Sequence, residues 1–277
     1  MRVDAHHHLW DLSVRAQDWI DAATMSAIRR DFDVTDLRAA ATGFDRTVLV
    51  QTITVPEETP EFLAIASQTD LIGAVVGWVD LTAPSVVDDL AELRSGPGGT
   101  WLRGIRHQVQ GEADPRWLCR DDVRRGLRAV FDAGLVYDLL VLPHQLEASI
   151  ETVAAFPDEP FVLDHCAKPP IASGSLEPWA SSIRELAGFG NVTCKLSGLV
   201  TEADWAQWTV EDLRPYADVV LEAFGPSRVM FGSDWPVCLL AGSYAEVVGA
   251  AEDLTSGLSP ADRDQVFGGT AVRAYRL

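Results

Sequence analysis

The sequence predicts an α/β protein built as a (β/α)8 barrel, also called a TIM barrel. Three observations support this. Eight short apolar, β-branched runs recur along the chain, segments with helical patterning lie between them, and a length of 277 residues suits one such barrel. No long Gly/Ser linker interrupts the pattern, since Ser95–Thr100 is short enough to be a turn. We therefore expect a single domain over residues 1–277.

The predicted strands are nearly continuous apolar runs, as a parallel sheet buried on both faces requires. The first run, RVDAH, begins the chain and ends at His6. The other seven follow in order: Arg46–Gln51, Leu71–Asp80, Trp101–Gln108, Leu135–Leu142, Pro160–His165, Asn191–Ser197 and Ser227–Asp234.

The segments between these runs carry helix signals. One segment has Pro84 at a position suited to a first helical turn. Asp121–Gly134 places its apolar residues on one stripe and ends in a glycine suited to a helix C-terminus. Ser259–Leu277 is predicted as one closing helix. The alternative fold is a doubly wound open sheet, but the first strand lacks the GxGxxG-type turn typical of that fold.

Composition limits the classes of partner that we expect this protein to bind. Hydrophobic residues make up 47% of the chain, which predicts a sizeable core. The net charge of −19 repels phosphate backbones and anionic membranes, and no basic patch offsets it, so we expect neither nucleic acid nor membrane as a partner. Four scattered cysteines without a CxxC pair, and no secretory signal, predict a cytoplasmic protein. A monomer and a homodimer both remain open.

Polar residues gather where the predicted strands end. The carboxyl ends of barrel strands meet at one face, and active sites form there. Five of the six histidines lie at or just beyond a predicted strand end: His6, His8, His107, His144 and His165. Gln51, Trp78, Lys195 and Asp234 lie at other strand ends. The pattern predicts one shared site at this face.

The run His6-His7-His8 contains two candidate site residues. Alternation along a strand sends His6 and His8 to one side and His7 to the other. Two imidazoles on one side can share a metal ion or a carbonyl oxygen. Alone, the HxH pattern is weak, and a tag fragment is the other interpretation. The position of the run inside the first predicted strand argues against a tag.

Asp234 and His165 are the next candidates. Asp234 follows an apolar strand and can ligate a divalent cation, take a proton from water, or cap a helix. His165 closes another strand and can reach the barrel mouth. Its neighbour Asp164 is expected to point the other way as a structural residue, and Cys166 is expected to pack in the core.

Substrate contacts are predicted from five further residues. Arg106 suits a carboxylate or carbonyl, or else pairs with a structural acid. Of Arg106 and its neighbour His107, only one should enter the mouth unless the strand has ended. Lys168 suits a hydroxyl or carboxylate, or is simply solvated. Gln51 and Trp78 complete the predicted substrate set. Tryptophans are mostly core residues by default, but Trp10, Trp78 and Trp235 lie beside the candidate site, where aromatic walls would suit the faces of a sugar ring.

Five motifs occur in order over nearly the whole chain: VDAHHHLWD, GIRHQVQ, VLDHCAKP, CKLSGL and RVMFGSDWPV. Together they resemble the amidohydrolase-2 family of the amidohydrolase superfamily. They are most similar to its L-fuconolactonase-like and L-rhamnonolactonase-like sugar lactone hydrolases. The resemblance implies a deformed (β/α)8 barrel that hydrolyses a sugar lactone to a hydroxy acid.

The resemblance also implies roles for individual residues. His6 and His8 match the family HxH, His165 the histidine of strand six, and Asp234 the aspartate that activates water. Arg106, His107 and Lys168 match positions near the substrate. We expect His6, His8 and His165 to stabilise the oxyanion, or a zinc held by His6, His8 and Asp234 to do so.

Metal use varies in this branch. No lysine or glutamate lies at the end of strand four to bridge two metals. One zinc or no metal is therefore implied.

Two other functions remain open at this stage. One is a zinc-dependent decarboxylase, or another ester or lactone hydrolase, on the same scaffold. The other is a non-catalytic sugar-binding barrel, against which the presence of His6, His8, His165 and Asp234 argues.

Overall fold

The computed structural model describes all 277 residues, and its centre is a barrel of eight parallel strands that neighbour one another in chain order. Each strand is short, because the chain turns into loops as soon as it reaches the barrel rim. The strands are β1 (Val3–His7), β2 (Arg46–Val50), β3 (Ile72–Gly77), β4 (Leu102–His107), β5 (Val136–Leu139), β6 (Phe161–Leu163), β7 (Val192–Leu196) and β8 (Val229–Phe231).

Helices surround the barrel. They are α1 (Val34–Ala40), α2 (Glu58–Ala66), α3 (Val86–Ser95), α4 (Asp121–Asp132), α5 (Leu146–Ala155), α6 (Trp179–Ala187), α7 (Leu199–Glu202), α8 (Val210–Phe224), α9 (Tyr244–Leu254), α10 (Pro260–Asp264) and α11 (Thr270–Tyr275). A π-helical segment, Gln265–Gly269, joins α10 to α11. None of the helices combines the length and the apolar character needed to span a bilayer.

The predicted barrel is confirmed, and the open-sheet alternative is wrong. All eight predicted runs contain a strand, in the expected order. The closing helix differs from the prediction, because α10, the π-helical segment and α11 divide the C-terminal region.

Alternation along the strands separates two apolar cores. In β2, Val48 and Val50 belong to a small cluster inside the barrel, whereas Leu49 belongs to the large layer between sheet and helices. The interior cluster also includes Ala271 and Tyr275 of α11. The last helix therefore closes the end of the barrel opposite the polar rim.

The barrel closes through the segment that follows β8. Asp234 N donates to the carbonyl of His6 at 2.9 Å, and His8 N donates to the carbonyl of Trp235 at 2.7 Å. A β-bridge pairs His7 with Trp235. Closure thus brings the histidine run of β1 directly against Asp234.

An irregularity in β1 decides which histidines enter the barrel. The register shifts between Asp4 and His7, so that three steps along β1 match two along β2. Val3 and Ala5 lie in the interior cluster, so strict alternation would have sent His7 there too. After the shift, the His6 and His8 rings face each other, with 3.2 Å between their Nε2 atoms.

His7 takes no part in that contact. Its side chain is completely buried, and neither ring nitrogen has a hydrogen-bond partner. Burial, followed by the charge of neighbouring His8, lowers the pKa of His7 from 6.5 to about 3. The folded protein therefore excludes a proton that the unfolded chain accepts.

This exclusion predicts an acid-dependent loss of stability that His7→Gln reduces. The folded pKa lies below the unfolded value, so stability is complete above about pH 6.5 and falls as the pH drops toward 3. At pH 5 the loss due to His7 is about 2 kcal/mol. Denaturant unfolding of both proteins at pH 7.5 and pH 5 measures it. An equal pH dependence in the two proteins would contradict the assignment.

Candidate active site

Three imidazoles and one carboxylate meet at the barrel rim. His6 and His8 come from β1, His165 from the turn after β6, and Asp234 from the loop after β8. Asp234 Oδ1 lies 3.7 Å from His6 Nε2, 3.4 Å from His8 Nε2 and 3.8 Å from His165 Nε2. All four side chains are buried. The carboxylate thus faces a ring of nitrogen atoms with little access to bulk water.

The proton position on His8 follows from its backbone partner. Nδ1 lies 2.7 Å from the carbonyl oxygen of Val50, which can only accept a hydrogen bond. Nδ1 of the neutral ring therefore carries the proton. The Nε2 lone pair then points toward His6 and Asp234. His165 is different, since its Nδ1 contacts the hydroxyl of Ser197 at 2.9 Å, and a hydroxyl can donate or accept.

One group of atoms in the cluster has the spacing of a metal site. A ligand atom from each of His6, His8 and Asp234 lies within 4.8 Å of the others. A second group replaces His8 and Asp234 with Asp164 and His165. Asp164, however, is already engaged by Arg106 and Lys195. The Asp234 carboxylate of the first group has no lysine or arginine partner, so the first group is the better candidate for a cation site.

A buried ionic network, which we define as Arg106, Lys195, Asp138 and Asp164, lies directly beneath His6. Lys195 Nζ lies 2.6 Å from Asp138 Oδ2, 2.9 Å from Asp164 Oδ1 and 3.1 Å from His6 Nδ1. Arg106 Nη1 donates to Asp164 Oδ2 at 2.9 Å and lies 3.2 Å from His6 Nε2. The network therefore contacts both ring nitrogens of His6.

The network continues to the last helix. Tyr275 of α11 donates its hydroxyl to Asp138 Oδ2 at 2.7 Å. Burial raises the pKa of Asp138 to about 6, and Lys195 opposes that effect. Burial also acts to raise the pKa of Asp164, but Lys195, His6 and Arg106 together hold it well below its usual value. Asp164 is thus the more firmly ionised of the two acids.

The protonation states of Asp234 and His165 at the rim suit general-base catalysis at neutral pH. Burial raises the pKa of Asp234, yet His165, His8 and Lys168 outweigh burial and hold it below its usual value. Burial lowers the pKa of His165 to about 4, against the opposing charge of Asp234. Asp234 is therefore a carboxylate and His165 a neutral imidazole near pH 7.

A cavity of about 450 Å³ opens onto the cluster. Its lining includes His8, His165 and Asp234, together with Arg106 and Lys168. The remaining walls carry polar, aromatic and aliphatic side chains: Trp19, Met25, Thr52, Gln108, Gln110, Gly111, Leu140, Thr201, Glu202, Trp205, Val237 and Leu240. A larger groove, of about 810 Å³, lies between the N-terminal loop and α2 and contains none of the cluster residues.

The predicted substrate residues divide into two groups. Arg106 and Lys168 line the cavity, and Gln51 supports Arg106, accepting a hydrogen bond from Arg106 Nε at 2.9 Å. His107 and Trp78 are not among the lining residues. Trp78 Nε1 donates to His107 Nδ1 at 3.0 Å, and His107 Nε2 lies 2.8 Å from Glu112. Since Arg106 faces the interior, alternation turns His107 away from it.

The expected direction of Asp164 is wrong. Asp164 points into the barrel rather than away from it, because the chain leaves strand geometry after Leu163. His165 has a left-handed φ of 51°, so both neighbours face the site. Trp10, Trp78 and Trp235 are buried core residues, as tryptophans are by default, and the aromatic walls of the cavity come from Trp19 and Trp205 instead.

Two glycines permit this close packing. A Cβ on Gly232 would lie 2.7 Å from His6 Cβ, and one on Gly198 would lie 2.7 Å from His165 Nδ1. Gly198 also has a φ of 66°, which disfavours other residues. Neither ring could keep its position beside a larger residue.

Comparison with known proteins places the chain in a family. The profile of a family described as Amidohydrolase matches residues 3–277. The chain belongs to this amidohydrolase family. An L-fucono-1,5-lactonase of Burkholderia multivorans is 42% identical over 290 residues, covering all of this chain and 96% of the relative. An L-fucono-1,5-lactonase of Burkholderia ambifaria is 39% identical over 282 residues, with the same coverage.

A solved amidohydrolase structure has nearly the same fold. The protein, from Burkholderia multivorans, was crystallised with bound zinc. It superposes with a TM-score of 0.94 at 40% identity, covering all of this chain and 99% of the other. The eight-stranded barrel of this amidohydrolase therefore matches a solved relative over its full length.

The contact between Tyr275 and Asp138 predicts a stability effect far from the cavity. Tyr275→Phe removes a buried hydrogen bond to a carboxylate and should lower the free energy of unfolding by about 1.5–3 kcal/mol. Lys195→Met should cost more, about 3–5 kcal/mol, because two buried acids lose their shared cation.

Denaturant unfolding measures both effects. Tyr216→Phe is the matched control, because its hydroxyl makes only a 3.2 Å and a 3.4 Å contact with backbone carbonyls. A Tyr275→Phe protein as stable as the wild type would show that the contact with Asp138 contributes nothing.

Proposed function

We propose that this amidohydrolase hydrolyses a sugar-acid lactone of the L-fucono-1,5-lactone type to the open hydroxy acid. The observation that carries the proposal is the Asp234 carboxylate, which faces three imidazoles at the base of a cavity with polar and aromatic walls. The full-length similarity to two proteins named L-fucono-1,5-lactonase supports the choice of substrate. A cavity of about 450 Å³ suits a small molecule.

Asp234 is assigned as the general base. It takes a proton from a water molecule, the resulting hydroxide attacks the lactone carbonyl, and the protonated acid then returns its proton to the departing ring oxygen. The lowered pKa keeps Asp234 ionised at neutral pH. The same lowering makes it a weak base, so the reaction also needs stabilisation of the negative charge that develops on the carbonyl oxygen.

The donors available for that oxyanion differ from the three histidines expected. His8 presents the Nε2 lone pair to the site, so in this tautomer it accepts rather than donates. Arg106 is buried and cationic and lines the cavity, and its Nη2 donates only to the Gln51 carbonyl, so one N–H of Nη2 is left to donate. His165 can donate through Nε2 when Ser197 donates to its Nδ1. Arg106 and His165 are therefore the proposed oxyanion donors, each of the kind that contributes roughly 3–4 kcal/mol.

The cluster also suits one zinc ion held by His6, His8 and Asp234. Zinc bonds of about 2.0–2.2 Å at tetrahedral angles place ligand atoms about 3.3–3.6 Å apart. The three separations here are 3.2, 3.4 and 3.7 Å. The His8 lone pair is oriented as a ligand requires. A zinc ion bound there would supply Lewis-acid polarisation of the lactone carbonyl.

The remaining substrate contacts are assigned by position. Lys168 and the amide side chains of Gln108 and Gln110 are placed to bind ring hydroxyls, with Trp19 and Trp205 against the ring faces. His107 and Trp78 are assigned a supporting role behind Arg106. The decarboxylase alternative has less support, because both relatives with high identity carry lactonase names.

Replacing the proposed base tests the assignment. Asp234→Asn should lower kcat for L-fucono-1,5-lactone by about 10²–10⁴-fold with a smaller change in KM, because an amide cannot take the proton from water. A pH-indicator assay follows the release of acid. Asp158→Asn, an exposed site, is the control for the same chemical change. Wild-type turnover by Asp234→Asn would show that another group activates the water.

Metal content tests the ligand set separately. The geometry predicts one zinc ion per chain, lost in His6→Ala and His8→Ala but retained in His7→Gln. Mass spectrometry of metals on zinc-loaded, desalted protein measures the stoichiometry. Two ions per chain, or equal loss in all three variants, would contradict the site. Lactone hydrolysis by zinc-free protein would further count against a zinc-dependent decarboxylase.

A further inference from the structure

Lys168 projects into the cavity with a carboxylate already beside it. Its Nζ donates to Glu202 Oε1 at 3.0 Å, and both side chains line the cavity with 23% of their surface exposed. Lys168 ends the left-handed run that begins at His165, and Glu202 is the last residue of α7. Two unrelated segments thus meet at one wall to form this ion pair.

The other cation of the cavity is also neutralised. Arg106 donates to Asp164 Oδ2 at 2.9 Å, and its remaining nitrogens donate to the side chain and backbone carbonyl of Gln51. Each of the two cations therefore already has a carboxylate partner within the protein that neutralises its charge. Asp234 also lines the cavity and is ionised, and no lysine or arginine forms an ion pair with it.

This balance favours an uncharged ligand. The Lys168–Glu202 pair offers N–H donors and carboxylate acceptors together, which suits hydroxyl groups that both donate and accept. A second carboxylate on the ligand would instead approach Glu202 and Asp234. Like charges in a partly buried site repel strongly, and no free cation compensates.

We propose that Glu202 determines substrate charge: by neutralising Lys168, it makes the site select a lactone whose far end is uncharged and reject one that carries a second carboxylate. The assignment rests on the proposed function, because it concerns the lactone bound in the same cavity. It adds a specificity role for a residue that takes no part in the chemical step.

A matched pair of lactones tests the role. L-galactono-1,4-lactone and the galactaric acid 1,4-lactone of the same ring configuration differ only at the terminal carbon, which carries a hydroxymethyl group in one and a carboxylate in the other. We would measure kcat/KM for both with the wild type, Glu202→Gln, the double variant Glu202→Gln/Lys168→Gln, and Glu151→Gln. The last is a charge-matched control, because Glu151 pairs with Arg116 and Arg124 outside the cavity.

The wild type should prefer the neutral lactone by on the order of tenfold or more. In Glu202→Gln the ratio of anionic to neutral kcat/KM should rise by on the order of ten- to a hundredfold, and the double variant and Glu151→Gln should not show this rise. A wild type that accepts both lactones equally overturns the proposal without any variant. An unchanged ratio in Glu202→Gln also overturns the proposal. The same rise in the double variant or in Glu151→Gln overturns it as well.

If the proposed lactonase function itself is wrong, the experiment gives a different result. In that case the wild type hydrolyses neither of these lactones nor L-fucono-1,5-lactone.

Discussion

The site depends on four buried charged side chains that lie beneath the imidazole of His6. Arg106, Lys195, Asp138 and Asp164 come from β4, β7, β5 and the turn after β6, and they balance one another inside the barrel. Removing such groups from water costs several kcal/mol per ion, and mutual pairing offsets that cost. The network encloses His6, whose ring nitrogens contact Lys195 and Arg106. The position of His6 in turn sets the position of His8 and Asp234.

The network also explains why the two ends of the barrel are linked. Tyr275 closes the apolar end and contacts Asp138, while Asp234 and the histidines occupy the open end. Rigid support beneath reacting groups keeps them in a productive geometry without reorganisation during the reaction. The chemistry assigned to the rim therefore also relies on Lys195, Asp138 and Tyr275, which do not line the cavity.

Strand periodicity and strand ends made the barrel and the rim cluster predictable. Nearly continuous apolar runs predict buried parallel strands, and the carboxyl ends of those strands converge, which is how His165 and Asp234 could be placed together. The inward direction of Asp164 could not be predicted, because it depends on a left-handed turn in four consecutive residues other than glycine, His165 to Lys168. Glu202 and Trp205 carry no motif, and only the folding of α7 over His165 brings them to the cavity.

The central claim is that Asp234 activates water rather than attacking the lactone itself. Hydrolysis in ¹⁸O-labelled water, with enzyme in excess over lactone so that each site turns over once, tests it most directly. General-base catalysis predicts one ¹⁸O atom in the product carboxylate in that first turnover and none in Asp234. An unlabelled first product together with ¹⁸O in the Asp234 carboxylate would mean that Asp234 is the nucleophile, and would contradict the mechanism.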